Sequence, residues 1–286
     1  MKTPDFVENV PTQDLHHMST PSLLIVAHPN FLDAANRLAS HRSSTYGLDV
    51  KIVTPQQIYN EYSGGRQDIT AIRDFVRSLY LKTPGTLQNL LLFGRGSYDY
   101  KDRLFSNTNY VPIYESRNSL DPLLTYSSDD FYGFLQDNEG EWKESVSDDN
   151  TMDIGVGRLP VTDPDQASDI VDKLIAYDNH PDMSLSKQRV LFVADDGDWN
   201  IHQMQAEDLA ETFEVLYKNY HTQKVYLDAY EQENIASGQI SPKAKEALQE
   251  QINRGYDIVN YTGHGSERVW MQERIPRPGN SDRTSE

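Results

Sequence analysis

Apolar positions fall into two successive series of strand-like runs and helix-like repeats. Residues 1–21, with Pro4, Pro11 and Pro21, show neither period and read as a lead-in segment. Ser22-Leu23-Leu24-Ile25-Val26-Ala27 is a short unbroken apolar run of the kind that forms a strand buried on both faces. Pro29 ends it, and Phe31, Leu32, Ala35, Leu38 and Ala39 predict a helix over about 30–43. Gly47 closes that turn, after which Leu48, Val50, Ile52 and Val53 form a strand pattern. Ile69, Ile72, Phe75, Val76 and Leu79 mark the next helix, with Asp68 placed to suit the dipole at its start. Leu90-Leu91-Leu92-Phe93 is the third strand, so the order is that of a parallel sheet with right-handed crossovers.

Periodicity fades from about 98 to 152, a stretch rich in Tyr, Asp, Ser and Asn, and insertions of this length in compact domains usually carry function or mobility. It returns at Asp153-Ile154-Gly155-Val156-Gly157-Arg158-Leu159-Pro160-Val161, a strand stopped by proline. A helix carrying Ala167, Ile170, Val171, Leu174 and Ile175 follows, capped by Thr162 or Asp163. The polar segment 178–188 reads as a boundary, which gives an N-terminal α/β subdomain over 22–182 and a second over 183–286. In the second, Val190-Leu191-Phe192-Val193-Ala194 is a strand ending in Asp195-Asp196-Gly197-Asp198. A helix over about 201–217, a strand at Val225-Tyr226-Leu227 and a helix marked by Ala244, Leu248 and Ile252 lead to a last strand, Ile258-Val259-Asn260-Tyr261.

Composition narrows the function classes. With 26 Lys+Arg against 44 Asp+Glu the net charge is −18, which argues against nucleic acid and against an anionic membrane surface as main partners. No apolar run approaches the ~20 residues that span a bilayer. There is no cysteine, hence no disulfide, no thiolate metal ligand and no cysteine nucleophile in these residues. The N-terminus lacks the apolar centre of a signal peptide, so the expectation is a cytoplasmic protein or an internal piece of a longer one.

In open α/β sheets, reactive groups gather at the carboxyl ends of strands. Three such ends are distinctive here. Gly94-Arg95-Gly96-Ser97 opens like a dinucleotide fingerprint, but the third glycine is missing and the tight-turn reading is preferred. Thr262-Gly263-His264-Gly265-Ser266 places an imidazole between two glycines, which suits a general base beside a main-chain oxyanion donor; an incidental surface turn is the bland alternative. The acidic turn 195–198 is placed to orient that histidine if its strand shares the sheet, against the bland reading of a hydrated helix start.

Ca²⁺ enters through the acidic segments Ser128-Asp129-Asp130 and Ser147-Asp148-Asp149-Asn150, but neither matches an EF-hand and solvated charge is the preferred reading. His16, His17, His28, His41, His180, His202 and His221 are read as offering no paired zinc-ligand pattern, so zinc is not expected. Ser266 and Ser97 are weighed as serine nucleophiles, and neither sits in a nucleophile elbow.

Four stretches together resemble the gingipain-type cysteine peptidases, the C25 family. These are Leu91-Leu92-Phe93-Gly94 with Gly96-Ser97-Tyr98-Asp99; Ser128-Asp129-Asp130-Phe131-Tyr132-Gly133; the strand 153–161; and Asn260-Tyr261-Thr262-Gly263-His264-Gly265-Ser266. Val7-Glu8-Asn9, the strand from Leu23 and Gln57-Ile58-Tyr59-Asn60-Glu61 are most similar to the family's type IX secretion sortase branch. The resemblance implies a caspase-like α/β/α sandwich of two tandem subdomains, the second incomplete. It implies His264 as catalytic histidine, Gly265 as oxyanion donor and Asp196 as the acid supporting the histidine. It further implies secreted cargo as protein substrate, other type IX secretion components as partners, and a place on the outer-membrane surface of a Gram-negative Bacteroidetes bacterium. The position of an arginine-reading acid falls at His202 or a neighbour, so trypsin-like preference is not expected. The family's cysteine lies a few dozen residues past the histidine, at the next strand end. Only residues 265–286 follow His264 and none is cysteine, so the expectation is a truncated piece or a broken reading frame, inactive by itself. The rival reading is a non-catalytic binding or scaffold module that keeps the caspase-like shell.

Overall fold

The computed structural model describes residues 10–105, 107–116, 120, 125–137, 139, 151–179, 185–235, 238–265, 269–270 and 275–276. It forms two compact units, 1–180 and 181–286.

In the first unit the elements are β1 (Leu23–Ala27), α1 (Leu32–Tyr46), β2 (Val50–Val53), α2 (Pro55–Tyr62), α3 (Ile69–Lys82), β3 (Asn89–Phe93), the two-residue strands β4 (Tyr114–Glu115) and β5 (Ser127–Ser128), β6 (Gly155–Leu159) and α4 (Pro164–Asn179). The main sheet is parallel throughout in the order β2-β1-β3-β6. Alternate residues of β1 serve opposite layers. Leu24 and Val26 pack with Ile58 of α2 and Ile72, Phe75, Val76 and Leu79 of α3. Leu23 and Ile25 pack with Ala34, Ala35 and Leu38 of α1 and Ala167 and Val171 of α4. This is a helix–sheet–helix sandwich, as the unbroken apolar run of β1 requires. Each fully buried Leu, Ile or Phe contributes roughly 1.5–3 kcal/mol.

Local signals set the helix ends. Asp68 caps α3 by accepting the Thr70 amide at 2.8 Å. The helix α2 lies in a segment that the apolar pattern leaves without an element. A capping box starts it: Thr54 Oγ1 accepts the Gln57 amide at 3.3 Å, and Gln57 Oε1 accepts the Thr54 amide at 2.8 Å. Glu61 of α2 then accepts the Leu15 amide at 2.9 Å and Gln13 Nε2 at 2.7 Å, fastening part of the lead-in segment and burying Leu15.

The aperiodic region is organised around one arginine. Arg158 of β6, its side chain 9% exposed, uses all five N–H groups. Nε donates to Asp129 Oδ2 at 2.8 Å and one terminal nitrogen to Asp129 Oδ1 at 2.7 Å. The remaining bonds run to the carbonyls of Gly94 and Val111 at 2.7 Å and of Pro112 at 3.2 Å. Asp129, one of the acids weighed for Ca²⁺, is thereby committed to an ion pair, while 147–150 lie outside the described residues. Beside it Tyr132 is fully buried and donates its hydroxyl to Pro112 O at 2.7 Å. Gly94 has φ +143°, and a Cβ there would stand 2.9 Å from Tyr110 Cβ. The chain after it continues without a helix, as the tight-turn reading requires.

The second unit contains β7 (Arg189–Ala194), α5 (Gly197–Leu216), β8 (His221–Tyr226), the hairpin β9 (Glu233–Ile235) and β10 (Gly238–Ile240), α6 (Pro242–Arg254), β11 (Ile258–Thr262) and the short pair β12 (Val269–Trp270) and β13 (Ile275–Pro276). Its sheet is parallel, in the order β11-β7-β8. Leu191, Val193 and Val225 pack with Ala244 and Leu248 of α6, and Val190 and Phe192 with Ala210 and Phe213 of α5. β8 begins earlier than its apolar residues suggest, because His221-Thr222-Gln223-Lys224 pair with β7 despite their polarity. β11 is only partly buried. Ile258 and Val259 are 46% and 37% exposed, because among the described residues β11 pairs on one side only. No helix among the described residues is long and apolar enough to cross a membrane.

Arg158→Ala strands Asp129 and three main-chain carbonyls, so urea unfolding should show a loss of about 3–5 kcal/mol; a loss under about 1 kcal/mol contradicts the clamp. At Asp178, burial raises the carboxyl pKa, but hydrogen bonds from His41 and Tyr46 and the charge of Arg42 outweigh it and hold the pKa low. Its stabilisation is therefore complete above the ordinary carboxylate value of about 4 and is lost as pH falls through the lower folded-state value. The stability gap between the wild type and Asp178→Asn should close toward acid pH; a gap that widens there refutes the pairing.

Candidate active site

Parallel pairing of β7 with β11 aligns Ala194 with Thr262, so the acidic turn and the Gly-His-Gly turn leave adjacent strands at the same rim. The Asp195 amide donates to Thr262 O at 3.1 Å, carrying the register one residue past the strands. Asp195 is 1% exposed, and its Oδ2 accepts the main-chain amide of His264 at 3.3 Å. Gly263 makes this approach feasible. Its φ is +154°, and a Cβ would lie 2.4 Å from Asp195 Cβ and 2.6 Å from the Tyr261 hydroxyl. The Tyr261 hydroxyl donates to His264 O, and its ring stacks on Trp270 at 4.4 Å between centroids. The imidazole of His264 is thus presented outward from a fixed main chain, and its side chain is 58% exposed.

The ring's partner is Asp198. His264 Nε2 donates to Asp198 Oδ2 at 2.6 Å, and this bond, the largest influence on the acid, holds Asp198 below the usual carboxylate range. Asp198 stands in an unusual turn. Asp198, Trp199 and Asn200 have φ of 54°, 60° and 61°, left-handed values that cost roughly 1–2 kcal/mol per residue. Trp199 is 98% exposed, so burial of its side chain does not offset that cost. Strain of this kind collects at functional sites. His202, in the first regular turn of α5, brings Nε2 to 3.4 Å from Asp198 Oδ2, and its ring meets that of His264 edge-on with centroids 4.9 Å apart.

The structure therefore brings His264 together with the acidic turn, but through a different acid from the one inferred by resemblance. Asp196 accepts a hydrogen bond from Gln232 Nε2, and Asp198, two residues later, reaches the ring. Gly265 lies exposed and forms an isolated antiparallel bridge with Trp270. Ser266 lies outside the described residues, and Ser97 Oγ accepts the Asp99 amide in a local turn. The reading of the histidines as unpaired is corrected as well. His202 follows Asp198 by four residues, a spacing visible in the sequence, and the fold adds His264 to the pair.

A family model describing peptidase family C25 matches residues 16–284. The chain belongs to peptidase family C25. A comparison with curated proteins gave no match. Among solved structures, the chain is similar to dimeric latent PorU from Porphyromonas gingivalis, with 32% identity and TM-score 0.49 over 59% of this chain and 16% of that one. It is similar to the complex of pro- and mature domains of RgpB from the same organism, with 18% identity and TM-score 0.58 over 89% of this chain and 50% of that one. It is also similar to the Arg-specific cysteine proteinase gingipain R (RgpB), with 17% identity and TM-score 0.59 over 93% of this chain and 52% of that one. The likeness to RgpB establishes the gingipain-type fold, and the chain spans about half the length of each RgpB chain or less of PorU.

The choice between the two acids is testable by NMR of the imidazole. Asp198→Asn should shift the ring resonances of His264 strongly, and Asp196→Asn should leave them nearly in place. The reverse pattern refutes the geometry.

Proposed function

We propose that this chain supplies the histidine side of a gingipain-type Cys–His peptidase site. The observation that carries the reading is His264, held by its main chain on buried Asp195 and by its ring on Asp198, in a member of a cysteine-peptidase family. Because Nε2 is bonded to Asp198, Nδ1 is the nitrogen left for proton transfer. A thiolate would attack the peptide carbonyl, forming the S–C bond and a tetrahedral oxyanion. The Gly265 N–H is assigned to that oxyanion. Protonated Nδ1 would give its proton to the leaving amine as the C–N bond breaks, leaving a thioester. Asp198 would stabilise the imidazolium formed when the thiol loses its proton to the ring. Water completes hydrolysis, whereas an amine acceptor completes a sortase reaction.

The finer assignment rests on the sequence resemblance. The protein acts on C-terminal sorting domains of cargo exported by type IX secretion, together with other components of that system, at the outer-membrane surface of a Bacteroidetes bacterium. The 286 residues contain no cysteine, so the chain alone should be inactive as a cysteine peptidase. The same observation favours a second reading, a non-catalytic binding module on the same shell.

The test uses the 286-residue chain by itself and joined to whatever coding sequence follows it in the gene, the latter being the full product. The full product should cleave peptides, and thiol alkylation and His264→Ala should each reduce the rate at least about a thousandfold. The 286-residue chain should show no turnover. Inactivity of both proteins favours the binding module, and turnover by the 286-residue chain that His264→Ala abolishes overturns the assignment of the nucleophile.

A further inference from the structure

The rim cluster has the makings of a metal site as well as of a peptidase site. Asp198, His202 and His264 each offer a ligand atom, and these atoms lie within 4.8 Å of one another. The separation of 3.4 Å between His202 Nε2 and Asp198 Oδ2 matches the roughly 3.3–3.4 Å between two ligands on a tetrahedral ion with bonds of about 2.0–2.1 Å. The 2.6 Å between His264 Nε2 and Asp198 Oδ2 is a hydrogen-bond length and would open as the proton leaves. A second observation points to a missing ligand. His202 Nε2 is shielded from solvent, and its contact with Asp198 Oδ2, at 3.4 Å, is longer than an ordinary hydrogen bond. A shielded ring nitrogen so weakly engaged is costly, and a cation at the centre of the three atoms would satisfy it.

We propose that Asp198, His202 and His264 bind one Zn²⁺. Two imidazoles and one carboxylate suit a borderline ion with an open fourth position, whereas Ca²⁺ and Mg²⁺ select all-oxygen sets. The left-handed turn at 198–200 lets Asp198 face both rings from outside the regular helix, and the net charge of −18 favours cations generally. The ion would occupy Nε2 of His264 in place of the proton shared with Asp198. That fixes the remaining ring proton on Nδ1, so the imidazole cannot accept a proton from a thiol. Zinc would thus act as a reversible inhibitor of the dyad; this consequence rests on the peptidase reading, whereas binding itself does not.

The test titrates the full 286-residue chain with Zn²⁺ alone, by calorimetry, without substrate. One ion should bind per chain, and His202→Ala and Asp198→Asn should each weaken it at least about tenfold. His17→Ala, in the other unit, should leave it unchanged, and excess Ca²⁺ should not displace it. Co²⁺ should give the intense visible bands of a tetrahedral site. In the wild-type chain, zinc should shift the ring resonances of His202 and His264 together, a readout that holds even where a variant fails to fold. Absence of saturable binding to the folded chain, binding indifferent to both substitutions, or zinc-induced shifts confined to other histidines each overturns the site. Zinc binding through this trio, combined with an inactive full gene product, would leave the site standing and remove only its inhibitory role.

Discussion

A carboxylate placed where two parallel strands end governs the second unit. Asp195 is almost wholly shielded from solvent, its amide bonds to the end of β11, and its side chain accepts the amide of His264. An unpaired charge in that position would cost several kcal/mol, so the adjacent backbone has to turn inward to meet it. Only a residue without Cβ fits between them, which explains the glycine before the histidine. The outward imidazole, its contact with Asp198 and the proximity of His202 all depend on that junction.

Arg158 has the matching role in the first unit, and it changes what the family signature means. Three of the four stretches that carry the resemblance meet at this side chain: Gly94 through its carbonyl, Asp129 through its carboxylate, and the strand of residues 153–161 through Arg158 itself. Those residues describe a clamp that holds an aperiodic region against a sheet. Only the fourth stretch, around His264, carries candidate chemistry. A motif match over most of the chain therefore identifies the shell more securely than the reaction.

The core strands and long helices were legible because burial on both faces leaves unbroken apolar runs and helices repeat with a 3.6-residue period. The helix α2 was missed although Thr54 and Gln57 spell a capping box, since eight residues hold too few apolar positions to show a period. The start of β8 and the clamp at Arg158 were hidden for a different reason: main-chain pairing and a fully bonded guanidinium leave no hydrophobic pattern. In the candidate site, His264 stands out between its glycines, and the acidic turn leaves the strand next to its own. Which of its acids faces the ring was not legible, because three left-handed residues in a row defeat any count along a helix.

The central claim is that the Gly-His-Gly turn and the start of α5 form one cluster at the sheet rim. Cross-relaxation between the ring protons of His264 and His202, in the chain with its histidines assigned by substitution, measures this most directly. Ring centroids 4.9 Å apart predict a clear nuclear Overhauser contact between the two imidazoles, lost on Gly263→Ala. Two well-resolved rings with no such contact in the folded wild-type chain would contradict the account.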